Sequence, residues 1–362
     1  MVKSTIDEIK KNIDFLSLKL KGLHKDRIYN IMEVCGTHTM SIARFGISQL
    51  LGSNINLISG PGCPVCVTSA IDIDNILKIT GEYDVTLFTF GDMMKVPGTE
   101  TSLAVQKSLG RKIRICYSPL DALEFAVNNP GQKVVFLAIG FETTAPLTAV
   151  VVKKASDMGI KNFHIFTVHK IIPPAIEALL TDRDVNIDAL LLPGHVSAII
   201  GLKPYMFISE KYGVPAAIGG FEAESILRSL YLIMKQLVSG KYSVEIEYKS
   251  AVKENGNTVA QKLINEVFDI RDSAWRGIGI IKDSGLLLRE GFDAFDARKV
   301  FPVNHKTAAE EPPGCECGNI LKGIKKPYQC RLFKKRCTPD NPVGPCMVSS
   351  EGACAAYFKY YK

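Results

Sequence analysis

Short apolar runs alternate with helical segments along most of this chain. The stretches 28–34, 55–58, 85–90, 113–117, 134–139, 163–168, 189–192 and 216–218 are rich in Val, Ile, Leu and Phe and too short for helices, so they are predicted as buried strands. Near the start, Ile6, Ile9, Ile13, Leu16, Leu20 and Leu23 recur at helical spacing, which predicts an amphipathic helix over 4–23. Further helical segments fall at 120–128, 148–158 and 221–238. Apolar strands separated by helices make parallel sheets covered on both faces. The expected fold class is therefore α/β, with two Rossmann-like parallel-sheet lobes around a central cleft. The break at Asn129-Pro130-Gly131 divides it: residues 1–128 hold the leading helix and the first lobe, and 129–240 form the second. Beyond 240 the pattern changes. Residues 244–252 alternate like a strand, 258–268 look helical and 277–288 resemble a hairpin, giving 241–362 a mixed α+β character. Its last part carries Pro302, Pro312, Pro313, Pro327, Pro339, Pro342 and Pro345, too many for regular elements, so cross-links must hold its shape.

The cross-links are at hand. The tail reads C-x-C-x12-C-x6-C-x8-C-x7-C, from Cys315 through Cys317, Cys330, Cys337 and Cys346 to Cys354. Such soft thiolates fit iron–sulfur ligation, with structural zinc as the plainer alternative. The spacing matches neither common ferredoxin pattern, and four thiolates suffice for a [4Fe–4S] cluster. The start of the chain has no apolar secretory core, and no run of 18 apolar residues occurs, so neither secretion nor a membrane span is expected. A cytoplasmic location follows as the expectation, where thiols bind metal or cycle rather than staple.

Nearly every expected strand ends in a loop of glycine, proline and reactive side chains. They are CGTHT at 35–39, GPGCPVC at 60–66, FGDMMKVPG at 90–98, IGFETTAP at 139–146, VHKIIPPA at 168–175, LPGHVSAIIG at 192–201 and GGFE at 219–222. Ligands of open α/β sheets bind outside the carboxyl ends of strands, so these loops are expected to line the cleft. Cys63 and Cys66 form a C-x-x-C pair at a strand-to-helix turn, suited to a dithiol/disulfide couple or to two metal ligands. Cys35, with His38 three residues on and the hydroxyls of Thr37 and Thr39, reads as a nucleophile beside a base or as a soft metal ligand. Cys116, inside an apolar run, belongs to the core. Asp92, Glu142, His169, His195 and Glu222 are further polar cleft candidates, and Lys95 and Lys170 are placed to favour anions. Net charge is +7, concentrated in the seven cations from Lys322 to Arg336. That run reads as a solvated face, as surroundings for an anionic cluster, or as a docking face for an acidic electron donor. Sparse aromatics weigh against nucleic acid. No P-loop sequence occurs.

The segments MEVCGTHT, SGPGCPVCVT, FGDMMKVPG, IGFETTAP, VHKIIPPA and LPGHVSAIIG, with the tail CECGNILKG through GPCMVSSEGACAAY, resemble the HypD family of nickel–iron hydrogenase maturation factors. The resemblance runs from about residue 28 to the end. It implies a complex with a HypC-like small chaperone and assembly of an iron unit carrying two cyanides and one carbon monoxide. Cyanide would come from a HypE-like donor, and the finished unit would pass to the hydrogenase large-subunit precursor. It also implies a C-terminal iron–sulfur domain resembling ferredoxin–thioredoxin reductase. On this chain Cys35 matches the iron-holding cysteine, Cys63 and Cys66 the cleft pair (redox-active or metal-binding), and the tail the cluster region. By analogy with the reductase, Cys315, Cys330, Cys337 and Cys346 are the expected cluster ligands, leaving Cys317 and Cys354 as a candidate redox disulfide. His38, Thr37, Thr39, Thr143 and Thr144 are expected to donate hydrogen bonds to cyanide nitrogens or to steer the incoming group, and Glu142 joins them as a catalytic candidate. The alternative is a cluster-dependent thiol–disulfide oxidoreductase acting on a protein disulfide, which leaves Cys35 without work.

Overall fold

The strands form where the apolar runs predict them. A computed structural model describes residues 2–303 and 312–361. In chain order its strands are β1 (Tyr29–Glu33), β2 (Ile55–Ser59), β3 (Val85–Thr89), β4 (Ile113–Ile115), β5 (Lys133–Ala138), β6 (Phe163–Thr167), β7 (Ala189–Pro193), β8 (Ala216–Gly219), β9 (Val244–Ile246), β10 (Phe268–Trp275) and β11 (Gly279–Leu288). One parallel sheet has the order β2-β1-β7-β8-β9 and a second has the order β4-β3-β5-β6. β10 and β11 pair as an antiparallel hairpin.

This topology does not divide at 128/129. β3 and β4 lie before that break and β5 and β6 after it, yet all four share one sheet. The other sheet takes β1 and β2 from the start of the chain and β7, β8 and β9 from beyond residue 188. The first lobe is thus discontinuous, with the second inserted between β2 and β7. Asn129-Pro130-Gly131 is only the turn from helix Pro119–Asn128 into β5, and Gln132 N–H closes it on Asn129 O at 2.9 Å. The sequence cannot announce the crossing because strands buried on both faces look alike whichever sheet they join.

Alternate side chains of each strand face opposite layers. Met32, Leu190, Leu192 and Ile218 of one sheet, and Leu87, Val135 and Leu137 of the other, meet in a single core between the sheets. The opposite faces are covered separately. Phe88, Val134 and Phe136 pack beneath helices Pro119–Asn128 and Ala145–Asp157. Tyr29, Ile31 and Leu191 pack beneath helices Val2–Leu23 and Ala223–Ser239. The expected strand over 244–252 stops at Ile246, because Glu247 and Tyr248 N–H both turn back to Ile218 O. The hairpin expected within 277–288 is instead a single strand, β11, paired with β10 at 268–275, whose apolar signal is broken by the exposed Arg271 and Asp272. Among the described residues, no helix is long and apolar enough to cross a membrane.

Candidate thiol and metal site

Parallel register sets Cys35 and the C-x-x-C pair side by side. Glu33 at the end of β1 pairs with Ser59 at the end of β2, so the loops after both strands leave the sheet together. They then touch: Gly36 N–H donates to Gly62 O at 3.1 Å, and a Cβ on Gly62 would lie 2.4 Å from Cys35 Cα. Cys35 caps helix Gly36–Phe45 in an extended conformation and is buried. Burial, reinforced by the Glu351 carboxylate, pushes its thiol up to about 11, while the N–H groups of Thr37 and His38 pull the other way. Cys35 is therefore a neutral thiol that ionises only when something cationic or Lewis-acidic arrives. Cys63 caps the short helix Pro64–Val67, its sulfur accepting from Cys66 N–H at 3.2 Å, and it is disulfide-bonded to Cys66.

The tail folds back onto both. Thr37 Oγ1 donates to Glu351 Oε1 at 2.7 Å, and Ser349 Oγ donates to Asp92 Oδ2 at 3.1 Å. Cys66 Sγ lies 3.8 Å from the carbonyl oxygen of Pro345, the residue before Cys346. All six tail cysteines line one pocket, together with Ile320, Leu332, Phe333 and Met347. Cys317, Cys337, Cys346 and Cys354 are buried, whereas Cys315 and Cys330 are half-buried at its mouth. Gly344 is required here, because a Cβ would sit 2.5 Å from Cys315 Sγ. Among the described residues no three His, Cys, Asp or Glu are grouped to hold a single metal ion. Six thiols around apolar walls still suit a cluster, in which each thiolate binds its own iron rather than sharing one. The pocket does not divide its cysteines into ligands and a separate pair, since all six line the same walls.

The hydroxyl and imidazole protons go elsewhere than expected. Thr39 Oγ1 donates to Cys35 O at 3.4 Å, and Thr144 Oγ1 donates to Ile139 O at 3.1 Å. With Thr37 given to Glu351, these three hydroxyls already serve protein acceptors. His38 Nε2–H donates to Gly220 O at 2.9 Å, which leaves Nδ1 as a lone pair without a partner among the described residues. Burial lowers its pKa to about 4, so the ring is neutral and offers an acceptor, not a donor. Phe221 stacks between His38 and His195, at 4.8 and 4.0 Å between ring centroids.

Glu142 enters from the loop after β5. Its Oε1 accepts from Ile172 N–H at 3.0 Å, its Oε2 has no partner among the described residues, and burial raises its pKa to about 7. Ile139 and Phe141 of this loop share one core with Cys63, Cys66 and the buried Tyr205, so the loops of the two sheets do converge. Lys170 does not give the cleft free positive charge. It is buried, donates to Ser273 Oγ and Ala274 O, and stands 3.8 Å from Asp72. His169 is buried beside it, with Nδ1 3.1 Å from Thr167 Oγ1. Glu222 is an exposed cap of helix Ala223–Ser239, and exposed Lys95 donates to Pro339 O. The sequence reading missed Glu351 and Glu33. Glu33 is buried and lifted to about 8 by desolvation, its Oε1 accepting from Ser59 Oγ. MEVC, with an acid in an apolar strand, was the available signal for Glu33; nothing local marks Glu351.

Fold and site together define a two-sheet α/β thiol protein, with a lone capped cysteine, a disulfide-forming pair and a six-cysteine pocket held in one continuous structure. Residues 7–361 match the family model HypD, described as the hydrogenase formation hypA family. The chain is 45% identical to the hydrogenase maturation factor HypD of Rhodobacter capsulatus over 343 residues, covering 94% of this chain and 91% of that one. It is 44% identical to the HypD of Cupriavidus necator over 340 residues (92% and 89% covered). A putative hydrogenase expression/formation protein of Methanocaldococcus jannaschii is 43% identical over 364 residues (99% and 97% covered). The chain belongs to the HypD family, and its function lies in hydrogenase maturation.

Proposed function

We propose that this chain is the scaffold on which an iron unit bearing two cyanides and one carbon monoxide is assembled, in complex with a HypC-like chaperone and with cyanide from a HypE-like donor, before transfer to the hydrogenase large-subunit precursor. The observation that carries this reading is the contiguity of the three thiol sites. The tail that supplies the six-cysteine pocket also touches Cys66 through Pro345 and the Cys35 loop through Glu351. Low-spin iron with strong-field carbon ligands is soft, so a thiolate suits it. Cys35 is the anchor, its sulfur binding the arriving iron as a thiolate while the thiol proton is released to solvent. His38 Nδ1 accepts a hydrogen bond from a protonated group there. Cys63 and Cys66 alternate between disulfide and dithiol. Four of the tail cysteines, with Cys315, Cys330, Cys337 and Cys346 preferred, would hold a [4Fe–4S] cluster in the manner of ferredoxin–thioredoxin reductase, supplying single electrons to the pair. A free-standing oxidoreductase needs the pair and the pocket but not a thiol bonded into the same loops, which is why Cys35 favours the scaffold.

The test is an infrared spectrum of the anaerobically purified complex with its HypC-like partner, in the region of bound cyanide and carbon monoxide stretches. Bands are expected in the wild type and absent from Cys35→Ala, whose visible cluster absorption stays. Bands that survive in Cys35→Ala overturn the anchor. No bands in a preparation with an intact cluster, made in cells supplying cyanide, overturn the scaffold in favour of the oxidoreductase.

A further inference from the structure

The cations of the tail sort into two groups once folded. Lys322 pairs with Asp182 at 2.9 Å and Lys325 with Glu316 at 2.7 Å. Lys326 is half-buried and feels the Glu33 charge. These three are structural. Arg331, Lys334, Lys335 and Arg336 are exposed. Arg331 acts on Glu316, and Lys334 Nζ donates to the Tyr361 carbonyl at 2.7 Å, a neutral acceptor. Among the described residues, exposed Lys335 and Arg336 form no ion pair, with Asp340 on the next turn or with any other carboxylate.

The same loop is a wall of the cysteine pocket. Cys330, Leu332, Phe333 and Cys337 face inward among its lining, interleaved with the outward cations. A left-handed Lys334 (φ 58°) and the bridge between Phe333 and Cys337 fold the turn that displays 334–336. Cys330, at one end of this loop, is one of the two half-buried cysteines of the six. At Cys330 the pocket thus comes part-way to solvent beside a concentrated positive face.

We propose that the 330–337 loop is the docking surface for an acidic one-electron carrier protein that supplies electrons to the six-cysteine pocket. The inference rests on the reading of that pocket as a cluster site. The chemistry requires such a visitor. Reducing the Cys63–Cys66 disulfide breaks one S–S bond and forms two S–H bonds, consuming two electrons and two protons. Two reduced carriers each give up one electron and leave oxidised, and solvent supplies the protons. A carrier that must dock, unload and depart twice is best served by charge steering, which speeds encounter without fixing a tight complex. Nucleic acid is the less favoured occupant. The ammonium of Lys334 lies over the rings of Phe333 and Phe358, at 5.7 and 5.9 Å, so those faces are not open platforms for stacked bases.

The experiment uses the full chain, purified anaerobically, with a plant-type acidic ferredoxin as the probe. Binding of oxidised ferredoxin is measured by calorimetry at low and high salt, and transfer from reduced ferredoxin by stopped-flow bleaching of the visible band. Lys334→Glu, Lys335→Glu and Arg336→Glu are combined in one variant. Roughly tenfold or greater loss of affinity and of transfer rate is expected, with high salt weakening the wild type similarly. Dithionite, a small reductant, should bleach wild type and variant equally. Binding and transfer indifferent to the variant and to salt overturn the docking surface while leaving the cluster reading intact. A wild type that dithionite cannot bleach, lacking a cluster band, overturns the cluster reading itself. Variant-sensitive binding of a single-stranded oligonucleotide, with none of ferredoxin, overturns the carrier in favour of nucleic acid.

Discussion

At Cys35 the burial that protects the thiol also disarms it, and Glu351 adds to the effect. The carboxylate is held against the site by Thr37, so its charge is fixed in place. Glu351→Gln keeps an oxygen to accept from Thr37 and removes the charge. The Cys35 midpoint should then fall below about 11, and site-resolved iodoacetamide alkylation at mildly alkaline pH should quicken severalfold. An unchanged pH profile means that the charge is not felt. Glu142 gives a stability readout instead. Its folded pKa, about 7, is raised above the ordinary 4.5 by burial. The folded state therefore binds the extra proton, and the stability this gives is present below pH 4.5 and is lost as pH rises through 7. Glu142→Gln keeps the oxygen that accepts from Ile172 N–H and never ionises. Relative to wild type, the variant should gain about 3 kcal/mol between pH 4.5 and pH 8, read from urea midpoints. A difference that is the same at both pH values sinks the assignment.

Between elements, contact is set by glycines that let backbones touch. Gly62 is pressed against backbone: a Cβ there would meet Val34 O at 2.1 Å and Cys35 Cα at 2.4 Å. Gly62→Ala must push the C-x-x-C loop off the Cys35 loop, at a cost on the order of 2 kcal/mol. Thermal unfolding should show a lowered midpoint for Gly62→Ala and none for Gly131→Ala, where nothing lies within 4 Å. Equal midpoints mean that the two loops are not held in register as described. This scale also shows what the sequence makes legible. Strand interiors are plain because β3 and β5 are mostly apolar and almost wholly buried, and the reactive loops are plain because Gly, Pro, Cys and His gather at strand ends. Hydrogen-bond direction is not legible: nothing in THT says that Thr37 serves an acid from residue 351 and His38 a carbonyl from residue 220. Nor does VHK reveal that Lys170 is spent on Ser273 and Ala274 of β10.

Across the whole molecule the chain passes from one sheet to the other and back. Helix Ala70–Glu82 leads from β2 into β3, and helix Ile172–Thr181 leads from β6 to β7. Strand order is decided by which apolar runs pair, a long-range choice that equally buried parallel strands do not encode locally. The Asn129-Pro130-Gly131 turn looks like a boundary from sequence and is not one, so the two organisations differ in what a cut there does. If lobes met at 129, a nick would free two folded halves. In the observed topology β5 sits between β3 and β6 in one sheet, and β1 pairs with both β2 and β7, so each half would leave strands unpaired. A protease site inserted at 130, cleaved in the native protein, should leave fragments that co-elute in size exclusion and unfold in a single thermal transition below that of the intact chain. The loss should be modest, because the nick releases chain entropy without breaking a ladder. Fragments that separate without denaturant would place the boundary where the sequence pattern put it.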